Sequence, residues 1–104
     1  MTSALKTDRY ELTMLHAALN SGMADKQVVF EVFARSLPAG RRFGVFAGVG
    51  RLIDEINNFH FTNEQLSFLG DQKIVSENTL HWLEKYSFSG TIEGFEEGEI
   101  YFGN

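Results

Sequence analysis

The chain has 104 residues, ten phenylalanines, no cysteine and a formal net charge of −5. That length suits one small domain with a modest core, the aromatic content argues against disorder, and the acidic balance argues against a general nucleic-acid binder. Without cysteine there is neither a disulfide framework nor a Cys-ligated zinc site; no apolar run of about 18 residues suits a membrane span, no signal-peptide layout opens the chain, and a cytoplasmic setting is expected.

The first helix is predicted from about Asp8 to Asn20. Asp8 and Glu11 have capping-box spacing, and Gly22 is placed to stop the helix. Leu12, Leu15 and Leu19 form one apolar stripe; Tyr10, Met14 and Ala17 form a second on roughly the opposite side. A short helix with two apolar stripes is either sandwiched or meets a partner.

Residues 27–37 alternate as a strand, with Val28, Phe30, Val32 and Ala34 on one face and Val29, Glu31, Phe33 and Arg35 on the other. Pro38 and Gly40 end it. From Phe46 to Asn57 the apolar spacing is helical again. Thr62 with Gln65 opens a short helix that Gly70 is expected to close, and Ser76 caps another holding Leu80, Leu83 and Tyr86. Short strands punctuated by Gly90, Gly94 and Gly98 are predicted for the tail. The sum is an α+β domain: a small, mostly antiparallel sheet with several helices. The chain ends directly after the apolar run Ile100–Phe102, which reads as a fragment of something larger.

The charges are unevenly placed. No acid lies between Glu31 and Asp54, where Arg35, Arg41, Arg42 and Arg51 fall among Gly40, Gly44, Gly48 and Gly50. Such a segment suggests a local anion site; solvated arginines around turns are the plainer alternative. Glu93, Glu96, Glu97 and Glu99 crowd the tail, and solvation suits them better than paired-carboxylate chemistry.

No self-contained catalytic motif or metal-ligand spacing is present. Ile53 breaks the dinucleotide fingerprint begun by Gly48 and Gly50, and no P-loop exists. His16, His60 and His81 are far apart and read as surface or packing residues. Three candidates remain, each with an ordinary alternative. Tyr10 can stack a planar ligand or complete the Met14/Ala17 stripe. Arg35 can clamp a phosphate or pair with Glu31. Asp8 can accept from a ligand or simply cap the helix.

Taken together, "TDRYELTM", "SGMAD", "VFEVFARSLPAGRRFGVFAGVGRLIDEI", "FHFTNEQLSFL" and "FSGTIEGFEEGEIYFGN" closely resemble the beginning of nicotinate phosphoribosyltransferases, in order over nearly the whole chain. The resemblance implies that residues 1–104 are the N-terminal domain of a type II phosphoribosyltransferase, with the catalytic barrel and its phosphorylated histidine absent. None of His16, His60 or His81 is expected in that histidine's role. The implied reaction joins nicotinate to phosphoribosyl pyrophosphate, giving nicotinate mononucleotide and pyrophosphate, with ATP hydrolysis and Mg2+, as an entry to NAD. It implies a homodimer in which this domain lends residues to the barrel of the other subunit: Tyr10 stacking on the pyridine, Asp8 near the base and Arg35 on phosphate. Arg41 and Arg42 receive no contact. The short chain alone is expected to lack turnover. The alternatives are the same domain of a nicotinamide-using relative, and a non-catalytic interaction module.

Overall fold

The computed structural model describes residues 3–103. Along the chain run α1 (Arg9–Asn20), β1 (Gly44–Val45), α2 (Val49–Asn57), α3 (Asn63–Asp71), α4 (Glu77–Glu84) and β2 (Ile100–Tyr101). The two strands form a small antiparallel sheet, with Gly44 opposite Tyr101 and Val45 opposite Ile100. The result is a small α+β arrangement, drawn out to 47 × 27 × 26 Å. Its radius of gyration is 16.7 Å, whereas a compact chain of this length would have about 13 Å.

The elongation follows from where apolar side chains find partners. One end is a helical core in which α4 packs against both α3 and α1. Ala4, Leu12, Phe61, Leu69, Val75 and Leu83 are buried there, with Leu5, Leu15, Phe59 and Trp82 among the residues packed around them. Thr79 is fully buried in the same layer. Phe59 meets Phe61 and Tyr86 edge-on, and Trp82 stacks on Tyr86 with centroids 5.1 Å apart. Gly70 lets α3 and α4 approach: a Cβ there would come within 3.1 Å of Leu80 Cδ1.

The helix ends follow local chemistry. Asp8 caps α1, and its N–H donates to the Glu11 carboxylate at 3.4 Å. Gly22, at φ +72°, completes a Schellman stop, in which Met23 N–H donates to Ala18 C=O at 2.9 Å. Thr62 and Gln65 form the reciprocal box at the start of α3: Gln65 N–H donates to Thr62 Oγ1 at 3.2 Å, and Thr62 N–H donates to Gln65 Oε1 at 2.9 Å. Ser76 is the N-cap residue of α4.

Five expectations need correction. Of the short strands predicted for the tail around Gly90, Gly94 and Gly98, only β2 forms among the described residues, because the tail before Gly98 finds no ladder partner. Gly70 does not close α3 but lies in its last turn; Lys73, at φ +50°, takes the left-handed position. Its N–H donates to Gly70 C=O, and Ile74 N–H donates to Leu69 C=O, both at 3.0 Å. Phe46 belongs to the ladder rather than to α2, since its N–H donates to Glu99 C=O at 2.8 Å. Tyr86 lies past the end of α4. Residues 27–37 form no ladder: the backbone is largely irregular or extended, with Phe30 at 90% and Val32 at 102% exposure. Alternation gives a strand two faces, but a strand also needs a neighbour that pairs with its amides and carbonyls, and among the described residues no segment forms a ladder with 27–37.

At the far end, Gly44 has to be glycine. A Cβ would lie 2.3 Å from the Tyr101 ring, which crosses directly over it. Phe95 joins this cluster, 6.4 Å from Tyr101 and 6.2 Å from Phe46. The tail then closes on α2 through Glu97. Its carboxylate accepts from Gly48 N–H at 2.9 Å and from Val49 N–H at 2.8 Å. Gly48 is the N-cap of α2 and offers no side chain, so a distant carboxylate satisfies the first amides of the helix.

These bonds, from Val49 first and Gly48 second, hold the Glu97 carboxyl below the usual carboxylate range. A group whose pKa is depressed by folding stabilises the folded form above its unfolded pKa and loses that contribution as pH falls through the folded value. The protection factors of the Gly48 and Val49 amides, referenced to intrinsic exchange at each pH, should therefore fall on acidification through that window, more than those at the start of α3. In Glu97→Gln this extra acid sensitivity should disappear, and its persistence would assign the effect to another group.

Candidate functional site

Asp8 and Tyr10 sit at the N-terminal end of α1, and the helix itself fixes where they point. Its Leu12 face is turned into the core against α4, so residues on the opposite side are turned outward. Tyr10 is 59% exposed and Met14 is exposed beside it. The backbone carbonyl of Tyr10 accepts from the Thr13 hydroxyl at 3.0 Å, while its ring makes no contact with any other ring among the described residues. The second apolar stripe of α1 thus completes no packing layer within this domain. A phenol held on a capped helix, with one face open, is suited to stacking on a flat ring.

Asp8 fulfils the capping alternative and is exposed, so its role as a cap is compatible with a carboxylate that also faces solvent.

Arg35 lies elsewhere, in the exposed stretch after Phe33. That stretch is not free of the fold. A Cβ on Gly103 would meet Leu37 Cγ at 3.1 Å and Ala34 C=O at 3.4 Å, so the end of the tail runs against residues 34–37. The Glu31 pairing does not form: among the described residues the ion pairs are Arg51–Glu55, at 3.2 Å, and His81–Glu84. The guanidinium groups of Arg35, Arg41 and Arg42 therefore have no carboxylate within bonding distance among those residues. The turn that carries the latter two is closed by Arg41 N–H donating to Pro38 C=O at 3.0 Å, with Gly40 at φ +83°. Unpaired, fully charged forks around a glycine turn can take a phosphate bidentately.

The structure brings Asp8 and Tyr10 together and leaves Arg35 apart. No hydrogen bond, ion pair or ring contact joins the two groups among the described residues. Nor do Asp8, Tyr10 and Arg35 line the groove of about 490 Å3 bounded by Lys6, Leu12, Phe61 and Trp82. What the domain offers is two separate elements, an aromatic one and a cationic one, each open to solvent.

Two polar residues carry more than their sequence positions suggested. Glu97, expected to be simply solvated, anchors the tail to α2; the signal was a side-chain-less Gly48 at the start of a helix. His16, read from the sequence as a surface or packing residue, is half-buried and packs through polar contacts. Its Nδ1 lies 2.9 Å from Thr79 Oγ1 and its Nε2 lies 3.1 Å from Asn20 Nδ2.

Residues 5–104 match the family model described as the nicotinate phosphoribosyltransferase N-terminal domain. The chain is 46% identical over 100 residues to a Mycobacterium tuberculosis protein named nicotinate phosphoribosyltransferase pncB1, covering 96% of this chain and 22% of that protein. It is 36% identical over 101 residues to the Bacillus subtilis nicotinate phosphoribosyltransferase, covering 97% of this chain and 21% of the relative. Against the Caenorhabditis elegans enzyme of the same name identity is 33% over 107 residues, covering 98% and 19%. The chain thus spans about a fifth of the length of these relatives, 19–22%. It belongs to the nicotinate phosphoribosyltransferase N-terminal domain family.

Proposed function

We propose that this chain is the substrate-lending N-terminal domain of a type II nicotinate phosphoribosyltransferase, acting in NAD synthesis with a catalytic barrel and, across a homodimer interface, a second subunit. The observation that carries this is Tyr10: a ring on a firmly seated helix, exposed on the side away from the core and without a ring partner among the described residues. Arg35, without an ion pair among the described residues and set beside the Gly/Arg segment, supplies the matching cation.

In the proposed reaction the bond from ribose C1 to pyrophosphate breaks, and the nicotinate ring nitrogen bonds to that carbon. Charge builds up positively on the ribose and negatively on the leaving pyrophosphate. Tyr10 stacks on the pyridine and holds its nitrogen toward C1, Asp8 borders the base, and Arg35 stabilises the phosphate charge. Mg2+ and ATP enter only through the remainder of the enzyme. Among the described residues no three His, Asp or Glu side chains are grouped to hold a metal ion, and no step here is assigned to either. Among the same residues no helix is long and apolar enough to cross a membrane.

The test uses a fusion in which residues 5–104 replace the matching 22% of the Mycobacterium tuberculosis relative. Arg35→Ala in that fusion should raise KM for phosphoribosyl pyrophosphate about ten-fold or more, as expected for losing a charge-assisted contact. The thermal midpoint should barely change, because no ion pair is lost. Normal kinetics with a lowered midpoint would instead make Arg35 a structural residue.

A further inference from the structure

α1 meets α4 mainly through leucines. Leu12 and Leu15 carry the apolar side of α1 into the core, but apolar contact is non-directional and sets neither roll nor axial position closely. His16 adds direction. On a helix turning about 100° per residue it lies about 40° from Leu12, at the edge of the inward face, and about 9 Å along the axis from Tyr10. Its partner, Thr79, is 0% exposed at the centre of the core. A buried hydroxyl needs a partner, and His16 Nδ1, at 2.9 Å, lies nearer to Thr79 Oγ1 than its other side-chain neighbour does.

The surroundings sharpen this contact. Ser76 Oγ lies 3.3 Å from both His16 Nδ1 and Thr79 Oγ1. Asn20, one turn further on, places its amide nitrogen 3.1 Å from His16 Nε2. With that amide donating, Nε2 accepts, the ring proton sits on Nδ1, and Nδ1–H donates to Thr79. The ring is thereby held at both nitrogens, from α1 on one side and from the start of α4 on the other.

We infer that His16 is a positioning residue: through Thr79 it sets the roll and register of α1 on α4, and so the direction in which Tyr10 and Asp8 are presented to the base. This rests on the proposed function, and it concerns a residue that contacts no substrate itself.

The test compares His16→Ala with His16→Asn. Asparagine carries a side-chain amide where Nδ1 lies and can still donate to Thr79; alanine cannot, although it is the better helix former. In the fusion, His16→Ala should raise KM for nicotinate on the order of three- to ten-fold, the range one hydrogen bond carries, and leave KM for phosphoribosyl pyrophosphate unchanged. His16→Asn should restore most of it. A purely structural role predicts the reverse order, with alanine the milder change. Tyr10→Ala, assayed in parallel, separates the two claims. If it has no effect on nicotinate KM, the proposed function fails; if it does and His16→Ala has none, only the positioning role fails. Independently of turnover, residual dipolar couplings of α1 and α4 amides in the 104-residue chain should change in His16→Ala and return in His16→Asn. Unchanged couplings in His16→Ala overturn the inference whatever the kinetics.

Discussion

Replacing Tyr10 with alanine is expected to lower kcat/KM for nicotinate about ten- to hundred-fold in the fusion, the range that base-on-aromatic stacking contributes elsewhere. Most of the loss should fall in KM, because a stacked ring holds the pyridine both before and during bond formation. The fold should hardly notice. Tyr10 is exposed and its phenol meets no other ring among the described residues, so truncation opens no cavity in the core. Tyr10→Phe, which keeps the ring face and drops the hydroxyl, should retain most activity. If Phe fails as badly as Ala, the hydroxyl rather than the stacking face is what the base requires.

Leu69→Ala should have the opposite signature. Leu69 is 1% exposed on α3, in the layer shared with Leu83 and Thr79. Removing a fully buried leucine costs about 2–5 kcal/mol, from lost transfer energy plus the cavity left behind. A domain of this size is stable by only about 5–15 kcal/mol. This one stakes that margin on few buried side chains, while Val29, Phe30, Val32 and Phe102 remain exposed. Denaturant unfolding of the chain should show a correspondingly lower midpoint with little change in slope. A loss well under 1 kcal/mol would mean that the helical layer is not the stabilising centre.

What could be read from the sequence divides along a physical line. Four helix ends were legible because their chemistry is local: Asp8 with Glu11, Thr62 with Gln65, Ser76 and Gly22 each act within a few residues. The small α+β composition followed from the same patterns. Long-range partnerships were not legible. Alternation over residues 27–37 gives two faces but supplies no neighbouring strand, so a predicted strand stands here without a ladder. Gly70 reads as a helix stop, but its missing Cβ instead makes room for Leu80 across the α3–α4 contact. His16 and Thr79 are 63 positions apart, and nothing in their spacing announces a bond.

The candidate site was legible to the same extent. Tyr10 could be placed off the leucine face by helix geometry alone. Whether it completed a packing stripe or faced outward depended on what lay beside it, and the fold decides for outward. For Arg35 the pairing with Glu31 depended on how the backbone of residues 31–35 runs, and among the described residues that ion pair is absent.

The central claim is that this domain supplies one part of an active site whose other part lies on a barrel. It is tested most directly by measuring nicotinate mononucleotide formation from nicotinate and phosphoribosyl pyrophosphate, using the 104-residue chain and the fusion side by side. The account predicts turnover by the fusion, sensitive to Tyr10 and Arg35, and none by the chain alone. Turnover by the chain alone, or a fusion whose activity ignores both residues, would contradict it.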